Sequence, residues 1–151
     1  MPAQTDRAQQ VPFADEVFTW PDEAPQLIGG RCTACRAVTF PRQVSCARCG
    51  TPDMERHLLP RRGTVWTWTT QDFLPKEPYA SAETLETFVP YGVGLVQLGD
   101  EVRVEARLTT ADPAVLEFGM EVELTIVPFR RDPDGTEVVI YAFAPLSAQE
   151  D

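Results

Sequence analysis

Cys32-Thr33-Ala34-Cys35 and Cys46-Ala47-Arg48-Cys49 decide the fold of the first third of this chain. They contain all four of its cysteines, and ten residues, 36–45, separate the two C-x-x-C pairs. Two intervening residues let a tight turn aim both sulfurs at one point. Two such turns, joined by a short hairpin, complete a tetrahedron of thiolates around a single ion. Gly29 and Gly30 precede the first pair and Gly50 follows the second, where glycine admits the positive φ that such turns often need. Between the pairs, Ala37-Val38-Thr39-Phe40 has strand character, which Pro41 ends.

One structural zinc ion suits this quartet, held by Cys32, Cys35, Cys46 and Cys49. Such a site is closed and leaves no position for a substrate. The metal stands in for a core that so short a module cannot build. Iron in a rubredoxin-like site is the alternative, and would make the protein an electron carrier.

The chain has 151 residues, room for one compact unit or a domain with a small module. No apolar run approaches the roughly 20 residues that span a bilayer, so no membrane partner is expected. The opening MPAQTDRAQQVPFADEV has no basic region followed by an apolar stretch, which argues against a signal peptide and for the cytoplasm. In that reducing compartment paired cysteines read as metal ligands and not as disulfides. The formal charge is −10, which repels polyanions and counts against nucleic acid as a partner. The basic residues are nonetheless clustered: Arg31, Arg36, Arg42, Arg48, Arg56, Arg61 and Arg62 surround the cysteines. A local anion site near the metal module is compatible with that clustering.

Three regions are expected: a leader over 1–25, a zinc ribbon over 26–60 and a barrel over 61–147. Pro2, Pro12, Pro21 and Pro25 make the leader poor in helix, with at most a turn around Phe13–Phe18 and a loosely packed character. From Gly63 the period becomes that of strands. Thr64–Thr69, Val93–Leu98, Glu101–Leu108, Glu121–Val127 and Glu137–Phe143 are five short strands, and Asp132-Pro133-Asp134-Gly135 is a turn between the last two. Their number and length predict a mostly β fold ending in a five-stranded Greek-key barrel of the OB type. Asp112–Gly119 is expected to hold a short helical turn. Gln71–Pro90 is a long, proline-containing loop, and loops of this length in compact domains tend to be functional.

Catalytic signals are sparse. There is neither a phosphate loop nor a dinucleotide fingerprint, and the carboxylate pairs, such as Asp100/Glu101 and Glu121/Glu123, read as solvated turns and edges. His57, the one histidine, has no nucleophile motif around it and reads as a surface residue. Strand alternation puts Trp66 and Trp68 on one face, with Val65 and Thr67 on the other. Such a tryptophan pair either stacks on single-stranded bases, as in nucleic-acid-binding OB folds, or forms core or interface; the acidic charge favours the second.

The order of these pieces carries a resemblance. Leu27–Cys35 (LIGGRCTAC), Phe40-Pro41-Arg42, Cys46–Gly50, Arg62–Trp66 (RGTVW), Pro90–Leu98 (PYGVGLVQL) and Glu117–Glu123 (EFGMEVE) together resemble the zinc-ribbon plus OB-fold family associated with acyl-CoA metabolism. Members are typically encoded beside, and complexed with, thiolase-fold enzymes, including lipid-transfer-protein-like thiolases and steroid side-chain aldolases. The resemblance implies an accessory, non-catalytic subunit that stabilises such an enzyme and shapes the entrance for an acyl-CoA thioester, with the partner carrying the catalytic residues. Arg31, Arg36, Arg42 and Arg48 are candidate contacts for the CoA phosphates or for the partner. Tyr79, Phe88 and Tyr91, at and beside the long loop, are candidate partner contacts. Many members have an amphipathic helix before the first cysteine, which Pro21 and Pro25 deny to Trp20–Gln26 here.

Overall fold

The computed structural model describes residues 9–79, 81 and 83–146; residues 1–8 of the leader and residue 147 at the end of the expected barrel lie outside them. The described residues form nine strands: β1 (Gln10–Pro12), β2 (Ile28–Cys32), β3 (Val38–Thr39), β4 (Met54–Leu58), β5 (Arg62–Gln71), β6 (Tyr91–Leu98), β7 (Val102–Leu108), β8 (Glu121–Arg131) and β9 (Glu137–Pro145). No α-helix occurs among them, and so no helix long and apolar enough to cross a membrane.

One sheet runs β1-β9-β7-β6-β5-β8 and closes on itself where β8 pairs with β9. Strands β5 to β9 are therefore a closed five-stranded barrel. β7 and β9 run parallel, and every other neighbouring pair of barrel strands is antiparallel. This is the expected OB-type connectivity. Alternation sets the core: Val104, Ala106 and Leu108 of β7 point inward beside Val96, Leu98, Val122, Leu124 and Phe143, all buried. Gly63 sits where β5 meets β6. A Cβ there would lie 2.3 Å from the Gln97 carbonyl oxygen and 2.7 Å from the Leu98 side chain, so the start of the barrel strand admits only glycine.

The tryptophan face departs from simple alternation. β5 carries a bulge between Val65, which pairs with Val96, and Thr67, which pairs with the adjacent Leu95. The extra residue is Trp66, and it inverts the phase of everything after it. Val65 and Trp68 consequently both reach the barrel core, whereas Trp66 is 53% exposed under the Arg103 guanidinium, 4.2 Å from its ring centre. The two tryptophans therefore do not share a face.

The described part of the leader, residues 9–25, is better ordered than its composition suggests. Its prolines do exclude helix, but the chain answers with extended structure: β1 adds to β9 in parallel, and no helical turn forms over Phe13–Phe18. Phe18 pairs with Leu27 through an isolated bridge and is buried in the barrel core, with Trp20 packed edge-on against it. Trp20–Gln26 is non-helical, as its prolines dictate. Asp112–Gly119 makes the expected helical turn. The Val115 and Leu116 amides donate to the Asp112 carbonyl, the Asp112 carboxylate accepts from the Ala114 amide at 2.9 Å, and Leu116 is buried in the barrel core.

A second sheet, β3-β2-β4, forms the ribbon. Its base is part of the barrel. Leu27 and Leu59 flank the ribbon, are fully buried in the barrel's cluster, and are joined by the Leu59 amide donating to the Leu27 carbonyl at 2.9 Å. Arg61 clamps the junction by donating to the carbonyls of Pro25 and Leu124. The far end of the ribbon buries only Cys32, Cys46 and Met54. So small a cluster stabilises too little by itself, and the thiolate site has to supply the rest.

Candidate functional site

The two cysteine knuckles are built alike. In the first, the Arg36 amide donates to the Cys32 carbonyl (3.0 Å) and the Cys32 amide to the Ala37 carbonyl (2.9 Å). In the second, the Gly50 amide donates to the Cys46 carbonyl (2.8 Å) and the Cys46 amide to the Thr51 carbonyl (2.9 Å). The residue after each pair is left-handed, with φ of 66° at Arg36 and 79° at Gly50. These turns bring the four sulfurs within 4.8 Å of one another. Cys32 and Cys49 Sγ are 3.6 Å apart, as are Cys35 and Cys46 Sγ. Four Zn–S bonds of about 2.3 Å arranged tetrahedrally need an edge of about 3.8 Å. The set fits one zinc ion, and the spacing is far too long for disulfides.

Hydrogen bonds to sulfur prepare the site. The Cys35 amide points at Cys32 Sγ (3.4 Å), the Arg48 amide at Cys46 Sγ (3.3 Å), and the Thr51 hydroxyl lies 3.1 Å from Cys49 Sγ. The Thr51 hydroxyl, then its amide and the Cys32 thiol, hold the Cys49 thiol down to about 6. The Cys49 amide likewise lowers Cys46. At Cys35 the Ala37 amide pulls downward, but desolvation and the three neighbouring sulfurs outweigh it and push the thiol up to about 11. A bound zinc ion would hold the ribbon's shape, with four protein ligands and no open position.

The arginines divide. Arg31, Arg36 and Arg48 line one hollow of about 430 Å³ between the ribbon and the β6–β7 turn, where Asp100 and Glu101 face them. Arg31 is also paired with Glu55 at 3.0 Å. Arg42 is not part of this group: it donates inward to the Met54 carbonyl and packs over Gly30. His57 Nε2 lies 2.8 Å from Glu101 Oε1, so the histidine ties β4 of the ribbon to the β6–β7 turn of the barrel.

A larger hollow lies elsewhere. A cleft of about 720 Å³ runs between the leader, the ribbon and the outer face of β6–β9. Six rings line it, from Phe13, Phe40, Tyr79, Tyr91, Phe129 and Tyr141. Tyr79 and Tyr91 face this cleft. Phe88 stands behind, edge-on to Tyr91 at 6.1 Å. Arg107 occupies the centre: its guanidinium is 4.0 Å above the Tyr91 ring, 5.2 Å from Phe129, and donates to the Tyr79 hydroxyl at 2.5 Å. Burial pushes up the phenols of Tyr91 and Tyr141, so both stay neutral at ordinary pH. Sequence reading missed Arg107 and Phe129. Val102, Val104, Ala106 and Leu108 alternate with Arg107, which puts it on the opposite face of the strand, but its pairing with Val93 and the fold-back of the long loop are tertiary facts.

That loop shows its other side to solvent. Phe73, Leu85 and Val89 are largely exposed. Asp72 and Glu86 stand beside Phe73 and Leu85 in sequence.

Residues 20–55 match the family described as ChsH2, rubredoxin-like zinc ribbon domain, and residues 57–127 the one described as ChsH2, C-terminal OB-fold domain. A DUF35 domain-containing scaffold protein of Pyrococcus furiosus is 33% identical over 85% of this chain and 89% of its own length. The chain belongs to the ChsH2, or DUF35, family. Benzoylsuccinyl-CoA thiolase subunit BbsA of Thauera aromatica is 30% identical over 82% of this chain and 78% of its own. Among solved structures, the Ltp2-ChsH2(DUF35) aldolase superposes with a TM-score of 0.57 at 27% identity, covering 80% of this chain and 84% of the matched one. The ribbon-then-barrel order of this chain is that of the ChsH2 models, and Cys32, Cys35, Cys46 and Cys49 all lie within the matched zinc ribbon.

Proposed function

We propose that this protein is the non-catalytic subunit of a thiolase-fold enzyme, a thiolase or retro-aldolase acting on an acyl-CoA thioester in the cytoplasm. It stabilises its partner and shapes access to the thioester. One observation carries the reading: the metal centre is a closed thiolate site, in a chain whose relatives include a named thiolase subunit and whose structural neighbour is an aldolase complex. A closed site binds no substrate, so the partner supplies the reacting groups. The exposed Phe73, Leu85 and Val89 form the docking face, and the acids beside them select a partner with basic residues around an apolar patch. Arg31, Arg36 and Arg48 are the groups offered to CoA phosphates at the ribbon, while Arg42 serves the ribbon's own backbone.

The test is co-expression with a thiolase-fold enzyme from the same genome. A single complex on size exclusion supports the reading. Separate elution at micromolar concentration, with each protein folded, contradicts it.

A further inference from the structure

We infer that the aromatic cleft over β6 and β7 is a ligand site of this chain's own, for a flat ring that carries a carboxylate or phosphate. The inference stands apart from the accessory-subunit reading, since it concerns a cleft wholly formed by this polypeptide.

The volume, about 720 Å³, lies within the range of pockets that enclose drug-sized ligands. Its lining is chemically specific. Phe40 and Tyr141 meet edge-on at 5.7 Å, and Tyr79 and Phe129 at 5.6 Å. Such arrangements leave ring faces open to a planar guest, and stacking on them tolerates many ring types. The polar element is Arg107; Arg130 also lines the cleft but is ion-paired with Asp132 at 3.0 Å. Among the described residues Arg107 takes part in no ion pair, although the protein carries ten more acidic than basic charges. Its guanidinium donates to the Tyr79 phenol, which donates in turn to the Glu83 carboxylate at 3.3 Å, and stands 4.0 Å over the Tyr91 ring. A guanidinium held among rings, with donors to spare, can receive an oxyanion through two parallel N–H bonds. Glu105 also lines the cleft: its main-chain carbonyl accepts from the Tyr141 hydroxyl, and its negative charge joins burial in pushing that phenol up, so Arg107 is what makes the cleft receptive to an anion. Rings plus one oriented cation select a guest with both parts: a ring alone lacks the anchor and an anion alone lacks the stack.

The chemistry has two natural sources, a nucleotide or an aryl acid. The experiment uses the full zinc-loaded chain and amide NMR shifts, titrated with AMP, adenosine, 2-naphthoate and inorganic phosphate. AMP, 2-naphthoate or both are expected to shift Val93, Ala106, Ile140 and Tyr141 together. Adenosine and phosphate are expected to bind at least about tenfold more weakly, the scale of one charged hydrogen bond. The AMP arm identifies a nucleotide and the naphthoate arm an aryl acid. Arg107→Gln should weaken binding by a similar factor. Val93→Phe, which fills the cleft and keeps the arginine, should abolish binding while the remaining spectrum stays native. Overturning results are the absence of clustered shifts at millimolar ring-bearing anion, equal binding of adenosine and AMP with 2-naphthoate no tighter, or full binding by a folded Val93→Phe variant.

Discussion

Arg36 and Gly50 hold the same place in the two knuckles, each donating its amide to the carbonyl of the first cysteine of its pair, and each in the left-handed region. Only one of them is glycine. A side chain there costs about 1–2 kcal/mol. Gly50→Ala, with open space around its Cβ, should therefore destabilise the zinc-loaded ribbon by about 1 kcal/mol through the backbone alone. Arg36→Gly relieves that strain and also gives the unfolded chain more freedom, worth about 0.5–1 kcal/mol. The net change should be a gain of no more than about 1 kcal/mol. Thermal melts of both variants, with zinc in excess, check the opposite signs.

Metal binding should depend on pH in a stated direction. The Cys49 thiol is held to about 6 against an ordinary value near 9. That preference for thiolate stabilises the folded metal-free ribbon fully above about 9, and is lost as pH falls through about 6. Cys35, pushed up to about 11, keeps its proton at neutral pH until metal displaces it. Zinc uptake at pH 7 should thus release protons, and affinity should weaken steeply below about pH 6. Calorimetry in buffers of different ionisation enthalpy measures the proton count. An affinity unchanged between pH 7.5 and 5 would contradict the assignment.

Removing the metal should be selective. The ribbon tip buries three residues, whereas its base shares the barrel core through Leu27 and Leu59. A strong chelator, or Cys46→Ser, should expose residues 32–54 to rapid amide exchange while β6, β7 and β9 stay protected. Exchange measured by mass spectrometry separates this from global unfolding.

Gly63→Ala places a methyl against the Gln97 carbonyl and Leu98. Overpacking of this kind costs about 1–3 kcal/mol, and the backbone contact cannot relax by a rotamer change. Chemical denaturation should show that loss.

Leu85→Glu lies on the exposed side of the long loop and touches nothing in the core. Its stability should change by less than about 0.5 kcal/mol. Binding to the partner enzyme should fall at least tenfold, as expected for a buried apolar anchor replaced by a charge of about 2 kcal/mol cost or more. Surface plasmon resonance against the immobilised partner reads both the loss and its origin in the off-rate.

Much of this molecule is legible in one dimension. C-x-x-C spacing names the ribbon ligands because a turn of that length has few ways to aim two sulfurs. Alternation finds the five barrel strands because one face of each is buried. What escapes is whatever depends on a single inserted residue or a distant partner. The bulge at Trp66 reverses a face that alternation alone assigns wrongly. β1 contains too few residues for any period, and only its pairing with β9 defines it. Arg107 reads as an ordinary exposed charge until the loop lays Tyr79 over it. The arginines near the cysteines look equivalent in sequence, yet Arg42 turns inward because the Met54 carbonyl needs a donor.

The central claim is that this chain assists carbon–carbon bond cleavage at an acyl-CoA thioester without performing it. The most direct measurement is product formation from an acyl-CoA substrate by the thiolase-fold enzyme that pairs with it on co-expression, by this chain, and by the two co-purified. Activity confined to the pair, and retained when His57→Ala is introduced here, is the predicted result. Turnover by this chain alone, or full activity and stability of the enzyme without it, would contradict the account.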